Sequence, residues 1–513
     1  MRRLGIDVGS THTDAVIMDG LEVISTHKAP TSQDISTGII EAAKSVLADC
    51  GLPRASIEAV VIGTTQFTNA VVQRRGLVKV AAMRIGAQST AALPPFYDWP
   101  VGLKEAVAGS VAMINGGHEF DGTPITALDE QAFAAACDAT ARSGFESIAV
   151  CSVFSSVNPE TEDWVRRQLA ERGIAGYLSL SRELGGVGLY QRENATLLNA
   201  ALMPMARRVV DAFRAAFDDL GLAGRLFISQ NDGTLMEAGF AARYPVLTIS
   251  SGPTNSMRGA AHLTGVADAM VVDVGGTTSD VGMLKNGFPR RSGIEVEVGG
   301  VSTNFRMPDV LAIGLGGGSI VAEQGQRVGP VSVGNELLDK AICFSGDVLT
   351  ATDIACARGL IDLGRRDRLS QIDAATVDNA TATMCATYRD VVDRMRVSPE
   401  PLPLIAVGGA SFLIPDELPG ISHVIRPQYA DVANAVGAAM GKVGAEAEVV
   451  YSRKEEGRRA AHDQARSLAS ERAVAAGADV ASIEITEVDE VPISYLEDPI
   501  VRLRVKAVGE MQL

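Results

Sequence analysis

A glycine-rich turn bounded by two aspartates occurs twice in this chain, and the repeat restricts the fold more than any other feature. Residues 4–20 read LGIDVGSTHTDAVIMDG, and residues 270–287 read MVVDVGGTTSDVGMLKNG. Asp7, Val8, Gly9, Thr11 and Asp14 match Asp273, Val274, Gly275, Thr277 and Asp280 in type and spacing, 266 residues further on. Each copy predicts an apolar strand, a tight turn and a returning strand. One device used twice, so far apart, implies two related halves.

The chain around the repeat supports an α/β architecture. At 513 residues it exceeds a single hydrophobic core and is expected to form several domains. Residues 34–49 read as a helix, and IEAVVIGTTQFTNAVVQRRG as a buried strand that ends in GTT and opens a helix. Helices and apolar strands then alternate to about residue 183, the pattern of layered α/β folds. The expected divisions are an N-terminal lobe over 1–183, a second lobe over 184–445, and a small C-terminal α+β module over 446–513. A net charge of −16 argues against a nucleic-acid partner. The uncharged runs fall short of a membrane span, and no targeting segment is visible, so a cytoplasmic protein with no membrane partner is expected. Six cysteines without a CxxC pairing and six scattered histidines favour reduced thiols over disulfides or a zinc site.

The turns suit a nucleotide phosphate. Without Cβ atoms, successive backbone N–H groups can converge on an anion, and neighbouring Ser and Thr hydroxyls add donors. Gly9, Ser10, Thr11 and Thr13 supply these parts in the first copy, and Gly275, Gly276, Thr277 and Thr278 in the second. An aspartate at a strand end cannot bind phosphate but can hold Mg²⁺, which points to Asp7 and Asp273. A single copy could equally be a plain hairpin with Asp and Thr stabilising its turn. Two matched copies favour a clamp. The later clusters, Gly316, Gly317 and Gly318 in GLGGGS and Gly408, Gly409 and Ala410 in GGA, could line a nucleotide or be bare turns. Neither matches a Walker A motif, and GLGGGS lacks the acidic residue of a dinucleotide fold.

Two DxGxTxxD-type hairpins and a late VGGA loop resemble the actin, hexokinase and Hsp70 ATPase fold. The detailed spelling resembles the hydantoinase A/5-oxoprolinase family, in GIDVGSTHTD, GTTQFTNAVVQRRG, QRENATLLNAALMP, SSGPTNSMRGA, DVGGTTSDV, AIGLGGGSI and TATDIACARGLI. These segments run in family order over residues 4–445. Ser10 and His12 depart from the usual Gly and aromatic residue of the first loop. Leu311 stands where long members carry a His, while Asp309 is kept.

The resemblance implies two actin/hexokinase-like (ribonuclease H-like) lobes with an interlobe ATP cleft. It implies ATP-dependent ring opening of a cyclic amide such as a hydantoin, lactam or 5-oxoproline, with ATP and Mg²⁺ as cofactors. Asp7 and Asp273 are then the metal-side catalytic carboxylates, and Gly408 and Gly409 contact the nucleoside. Thr64, Thr65, Arg192, Glu193, Asn194 and Asp309 are candidate substrate residues; a helix-start ion pair is the plainer reading of Arg192–Asn194. Asp14 is expected to be structural, and His12 to be neutral and turned away from the nucleotide. A second subunit and an oligomer are expected. The alternatives are a small-molecule kinase of the same fold, or an ATP-binding subunit inactive without its partner. Too little chain follows the ATPase for a chaperone's peptide-binding domain, and the clustered cysteines of radical-enzyme activators are missing.

Overall fold

Both repeats form hairpins, and each founds a sheet. The computed structural model describes residues 1–9, 12–30, 35–174, 176–292, 296–305, 307–452, 455–493 and 500–513. Ser10 and Thr11 lie outside the described residues. In the first hairpin, strand Arg2–Val8 pairs antiparallel with His12–Asp19, setting Asp7 opposite Asp14 and Val8 opposite Thr13. In the second, Ala269–Val274 pairs with Ser279–Lys285, setting Asp273 opposite Asp280 and Val274 opposite Ser279. The turns close identically. Gly9 N–H donates to His12 C=O at 2.9 Å, and Gly275 N–H donates to Thr278 C=O at 2.9 Å.

The likeness extends one strand further. Arg2–Val8 has a parallel neighbour, Ala59–Thr64, that sets Gly63 beside Asp7. Ala269–Val274 has a parallel neighbour, Leu402–Val407, that sets Val407 beside Asp273 and leaves Gly408 just past it. A Cβ on Gly63 would lie 2.2 Å from Asp7 Oδ1, and one on Gly408 would lie 2.3 Å from Asp273 Oδ1. Glycine there is what lets each carboxylate stand at the sheet end.

The first sheet has nine strands, in the order Glu484–Ile493, Ile500–Gly509, Val443–Ser452, Leu235–Glu237, Arg225–Ser229, Ala59–Thr64, Arg2–Val8, His12–Asp19, Glu22–Pro30. The second is built on Ala269–Val274 and Ser279–Lys285, flanked by Leu402–Val407 and Ile421–Ile425 on one side and by Phe288–Pro289 and Val310–Ile313 on the other. A third, wholly parallel sheet orders Ala108–Ile114, Val80–Ile85, Ser147–Ser152, Tyr177–Leu180.

The path of the first sheet runs across the boundaries expected at 183/184 and 445/446. Strands from all three expected units belong to the first sheet. The C-terminal strands bury Leu503 and Val505 in one core with Leu4, Ile6 and Ile62. Two strands and a helix have little area to bury alone, and strand Leu235–Glu237 would otherwise present an open edge.

Helices Ser251–Thr264 and Ala433–Ala439 cross beneath the two hairpins. A Cβ on Gly259 would lie 1.9 Å from Ala433 O, and one on Gly437 would lie 1.8 Å from Asn255 O. The crossing is therefore backbone against backbone. Helix Ala433–Ala439 also lies on the first strand, where a Cβ on Gly5 would meet Ala435 O at 2.5 Å.

Candidate active site

The two hairpin turns open into one cavity of about 240 Å³. Gly9 and His12 enter from the first turn, and Gly275, Gly276, Thr277 and Thr278 from the second. Asp7, Asp14, Asp273 and Asp280 line it, with Gly408 and Gly409 at one side and Thr65, Gly252 and Pro253 at another. Gly252 and Pro253 belong to the first turn of helix Ser251–Thr264; Gly252 brings a backbone N–H to the cavity, whereas Pro253 has none.

The carboxylates are crowded and poorly hydrated. Burial raises the Asp7 carboxyl to about 7, helped by the like charges of Asp14 and Asp273 and opposed by a hydrogen bond from Asn434. Burial likewise raises Asp273, against a hydrogen bond donated by Ser256 Oγ to Asp273 Oδ2 at 2.5 Å. Asp280 is pushed up to about 7 by burial and by Asp273. Asp14 is raised to about 6 by burial, against the neighbouring Lys28 charge. Asn434 Nδ2 donates to Asp7 Oδ2 at 3.4 Å, and Ser256 Oγ lies within hydrogen-bond reach of both Asn434 Oδ1 and Asp273 Oδ2 with one proton to share between them, so polar contacts run from Asp7 to Asp273 through the helix crossing.

A second cavity, about 300 Å³, adjoins the first and shares His12, Lys28, Gly276, Gly409 and Asp431 with it. Its further walls are largely apolar: Leu337, Leu338, Phe344, Leu363, Ala410 and Phe412. A flat aromatic base fits such walls, and the shared rim would set its phosphates against the hairpin turns. These walls carry no motif. They come from short helical turns around 337–344 and 411–413, and their role shows only once the chain is folded.

The other sequence-derived candidates divide. Gly317 lines the apolar cavity. Gly317 N–H donates to Gly275 O at 3.0 Å and Gly318 N–H to Gly276 O at 2.7 Å, while a Cβ on Gly316 would sit 2.6 Å from Gly275 O. The triple glycine thus backs the second turn. Thr13 is fully buried on its strand, and Thr64 Oγ1 accepts from Gln66 N–H at 3.1 Å where strand becomes helix. Neither lines the cavity, whereas Thr65 does.

Arg192, Glu193 and Asn194 stand apart from both cavities. Arg192 Nη2 donates to Ser152 O at 2.7 Å and Arg192 Nη1 to Gly186 O at 2.6 Å. Arg84 Nε donates to Glu193 Oε1 at 2.7 Å, and Trp99 Nε1 to Asn194 Oδ1 at 2.8 Å. These are internal ties, and the ion pair near the helix start joins Glu193 to the distant Arg84. Asp309 pairs with Arg290 Nη2 at 2.5 Å. His12 lines both cavities, contrary to the expectation that it turns away; burial and the Lys28 charge lower its pKa and keep it neutral.

The residues fit a magnesium nucleotide. Among the described residues no group of three or more His, Cys, Asp or Glu side chains could hold a metal ion by itself. Mg²⁺ characteristically takes one or two carboxylates and completes its shell with water and phosphate oxygens. Carboxyls raised by burial and by one another, as at Asp7 and Asp280, are what a bound cation relieves. Sequence reasoning missed Lys28, Ser256, Asn434 and the apolar wall.

Comparison with known proteins identifies a family. A sequence model for the hydantoinase/oxoprolinase N-terminal region matches residues 3–173, and one for hydantoinase/oxoprolinase matches residues 192–365. The chain is 26 % identical to the caprolactamase subunit alpha of Pseudomonas jessenii over 415 residues, covering 72 % of this chain and 57 % of that one. It is 26 % identical to the acetophenone carboxylase gamma subunit of Aromatoleum aromaticum over 504 residues, covering 85 % and 67 %. The crystal structure of the ATP-dependent caprolactamase from Pseudomonas jessenii shares the fold with a TM-score of 0.78 at 21 % identity, covering 100 % of this chain and 88 % of that one. No helix among the described residues is long and apolar enough to cross a membrane.

Proposed function

Because the chain belongs to the hydantoinase/oxoprolinase family, we propose that it couples ATP to the opening of a cyclic amide such as a hydantoin, a lactam or 5-oxoproline. One observation carries the proposal: two matched Asp-ended glycine turns face a single cavity beside an apolar slot. In this reading the first and second sheets are the cores of two actin/hexokinase-like lobes. Asp7 and Asp273 hold Mg²⁺, the turns at Gly9 and at Gly275–Thr278 hold phosphates, and Gly408, Gly409 and Ala410 border the nucleoside.

Bound Mg·ATP supplies the γ-phosphoryl group: its bond to ADP breaks as one to the amide oxygen forms, and water attack then opens the ring and releases phosphate. The chain's contribution is positioning and charge. Backbone N–H groups of the second turn orient the phosphate oxygens, and the Ser256 and Asn434 side chains tie the two carboxylates together. Neutral His12 accepts or donates a hydrogen bond at the rim without adding charge.

A second reading has the chain as an ATP-binding subunit that needs another polypeptide. Two relatives are named as subunits, and the chain spans 57 % of the caprolactamase subunit's length. The test is ADP release from Mg·ATP across a panel of hydantoins, lactams and 5-oxoproline, beside an Asp273→Ala control. ADP formed in step with ring-opened acid, and lost in the control, is expected. Nucleotide binding without turnover supports the subunit reading. ADP matched by a stable phosphorylated product overturns ring opening in favour of a kinase.

A further inference from the structure

The cleft is short of positive charge. Asp7, Asp14, Asp273, Asp280 and Asp431 all line the phosphate-sized cavity. Among the described residues lining this cavity and the apolar one, Lys28 is the only Lys or Arg. A triphosphate keeps net negative charge after it takes one Mg²⁺, and five carboxylates would repel it. Some cation of the chain must therefore face it.

Lys28 is placed to do so. It lies on strand Glu22–Pro30 directly opposite Asp14, and its Nζ is 2.5 Å from Asp14 Oδ1. The side chain is about a quarter exposed, at 26 %, towards the cleft. Lys28 comes from the first sheet, yet a Cβ on Gly409 of the second would be 3.9 Å from its Nζ. Its charge is felt at Asp273 as well as at Asp14 and His12. An ammonium on a flexible four-carbon stem can swing from one anion to another, and lysine is a habitual point-charge partner of phosphate.

We propose that Lys28 is the phosphate-binding cation of the cleft, reaching from its Asp14 partner to the terminal phosphates of a nucleoside triphosphate, and that Asp14 is the positioning residue that aims it. The inference rests on the nucleotide reading of the cleft given above. Lys28 makes and breaks no covalent bond. It offsets the charge of the group being transferred and closes the first sheet on the second through the ligand. Asp14 is thereby given a task beyond its hairpin.

The test is calorimetric binding of Mg·ATP, Mg·ADP and adenosine to the full chain, in wild type, Lys28→Met, Lys28→Arg, Asp14→Asn and the double variant of Lys28→Met with Asp14→Asn. Lys28→Met is expected to weaken Mg·ATP by about 10- to 100-fold, the range of one charge-assisted contact. Mg·ADP should weaken less and adenosine not at all. Lys28→Arg should regain most of the loss. Asp14→Asn should weaken Mg·ATP less than Lys28→Met does and have no further effect in the Lys28→Met background, a coupling that a merely structural role would not produce. Wild type and Lys28→Met binding Mg·ATP equally would overturn the assignment of Lys28 while leaving the nucleotide site intact. Equal losses for adenosine and Mg·ATP would overturn it too, since they indicate a damaged fold. Wild type binding no nucleotide would instead overturn the reading on which it rests.

Discussion

Gly63→Ala is the smallest change that interrogates the cleft. The added methyl would lie 2.2 Å from Asp7 Oδ1 and 2.7 Å from Asn255 Nδ2. Ordinary contact requires the carboxylate to retreat by roughly 1 Å, and nothing soft is available to yield, since Asp7 is only 4 % exposed. Overpacking of this kind costs about 1–3 kcal/mol of stability. A metal-side carboxylate displaced by about 1 Å is expected to slow ADP release by about 100-fold. Urea denaturation and ADP release are to be measured for wild type, Gly63→Ala, Asp7→Ala and the double variant. With the Asp7 carboxylate removed, only the 2.7 Å contact with Asn255 Nδ2 remains, so the stability penalty of Gly63→Ala should shrink without vanishing. A penalty of the same size in both backgrounds would show that the methyl strikes something other than Asp7. Unchanged stability and turnover in the single variant would refute the geometry altogether.

Asp280 gives a pH signature. Its carboxyl is raised to about 7 in the fold from 3.8, so the fold binds the proton more tightly than the unfolded chain between those values. Its contribution to stability is complete below pH 3.8 and is lost as pH rises through about 7. Asp280→Asn should therefore stabilise the nucleotide-free protein at pH 8, by at least about 1 kcal/mol, with the gain vanishing near pH 4; thermal melting across pH reads both ends. Glu193→Gln leaves Arg84, which is 1 % exposed, without its counter-charge, and should cost about 3–5 kcal/mol by denaturant titration. A loss of turnover at unchanged stability would instead favour a direct substrate role.

Legibility from sequence followed the range of the forces involved. The hairpins were legible because Gly9 and Gly275 close their turns by bonds within four residues. A C-terminal α+β segment over 446–513 was legible too, but the destination of its strands was not. A strand edge pairs through backbone groups that every residue carries, so no side chain names its partner. Lys28 was hidden by a subtler cause. Counting back from Asp19 opposite Glu22 pairs Lys28 with Thr13, but an irregularity between Ile17 and Met18 shifts the register by one and brings Lys28 opposite Asp14. The partners of Arg192, Glu193 and Asn194 were not legible either, because Arg84, Trp99 and Ser152 come from elsewhere in the chain.

The nine-stranded sheet has a consequence for how the chain reaches its fold. Leu235 pairs with Val443, so the chain leaves this sheet after one strand and returns beside it, with every strand of the second sheet made in between. During synthesis the second half therefore has all its pieces while the first still exposes an open edge at Leu235–Glu237. The second sheet begins after the first and is complete before it. The opening hairpin, made before anything else, must wait for strands Val443–Ser452 and Ile500–Gly509 before its own sheet is whole.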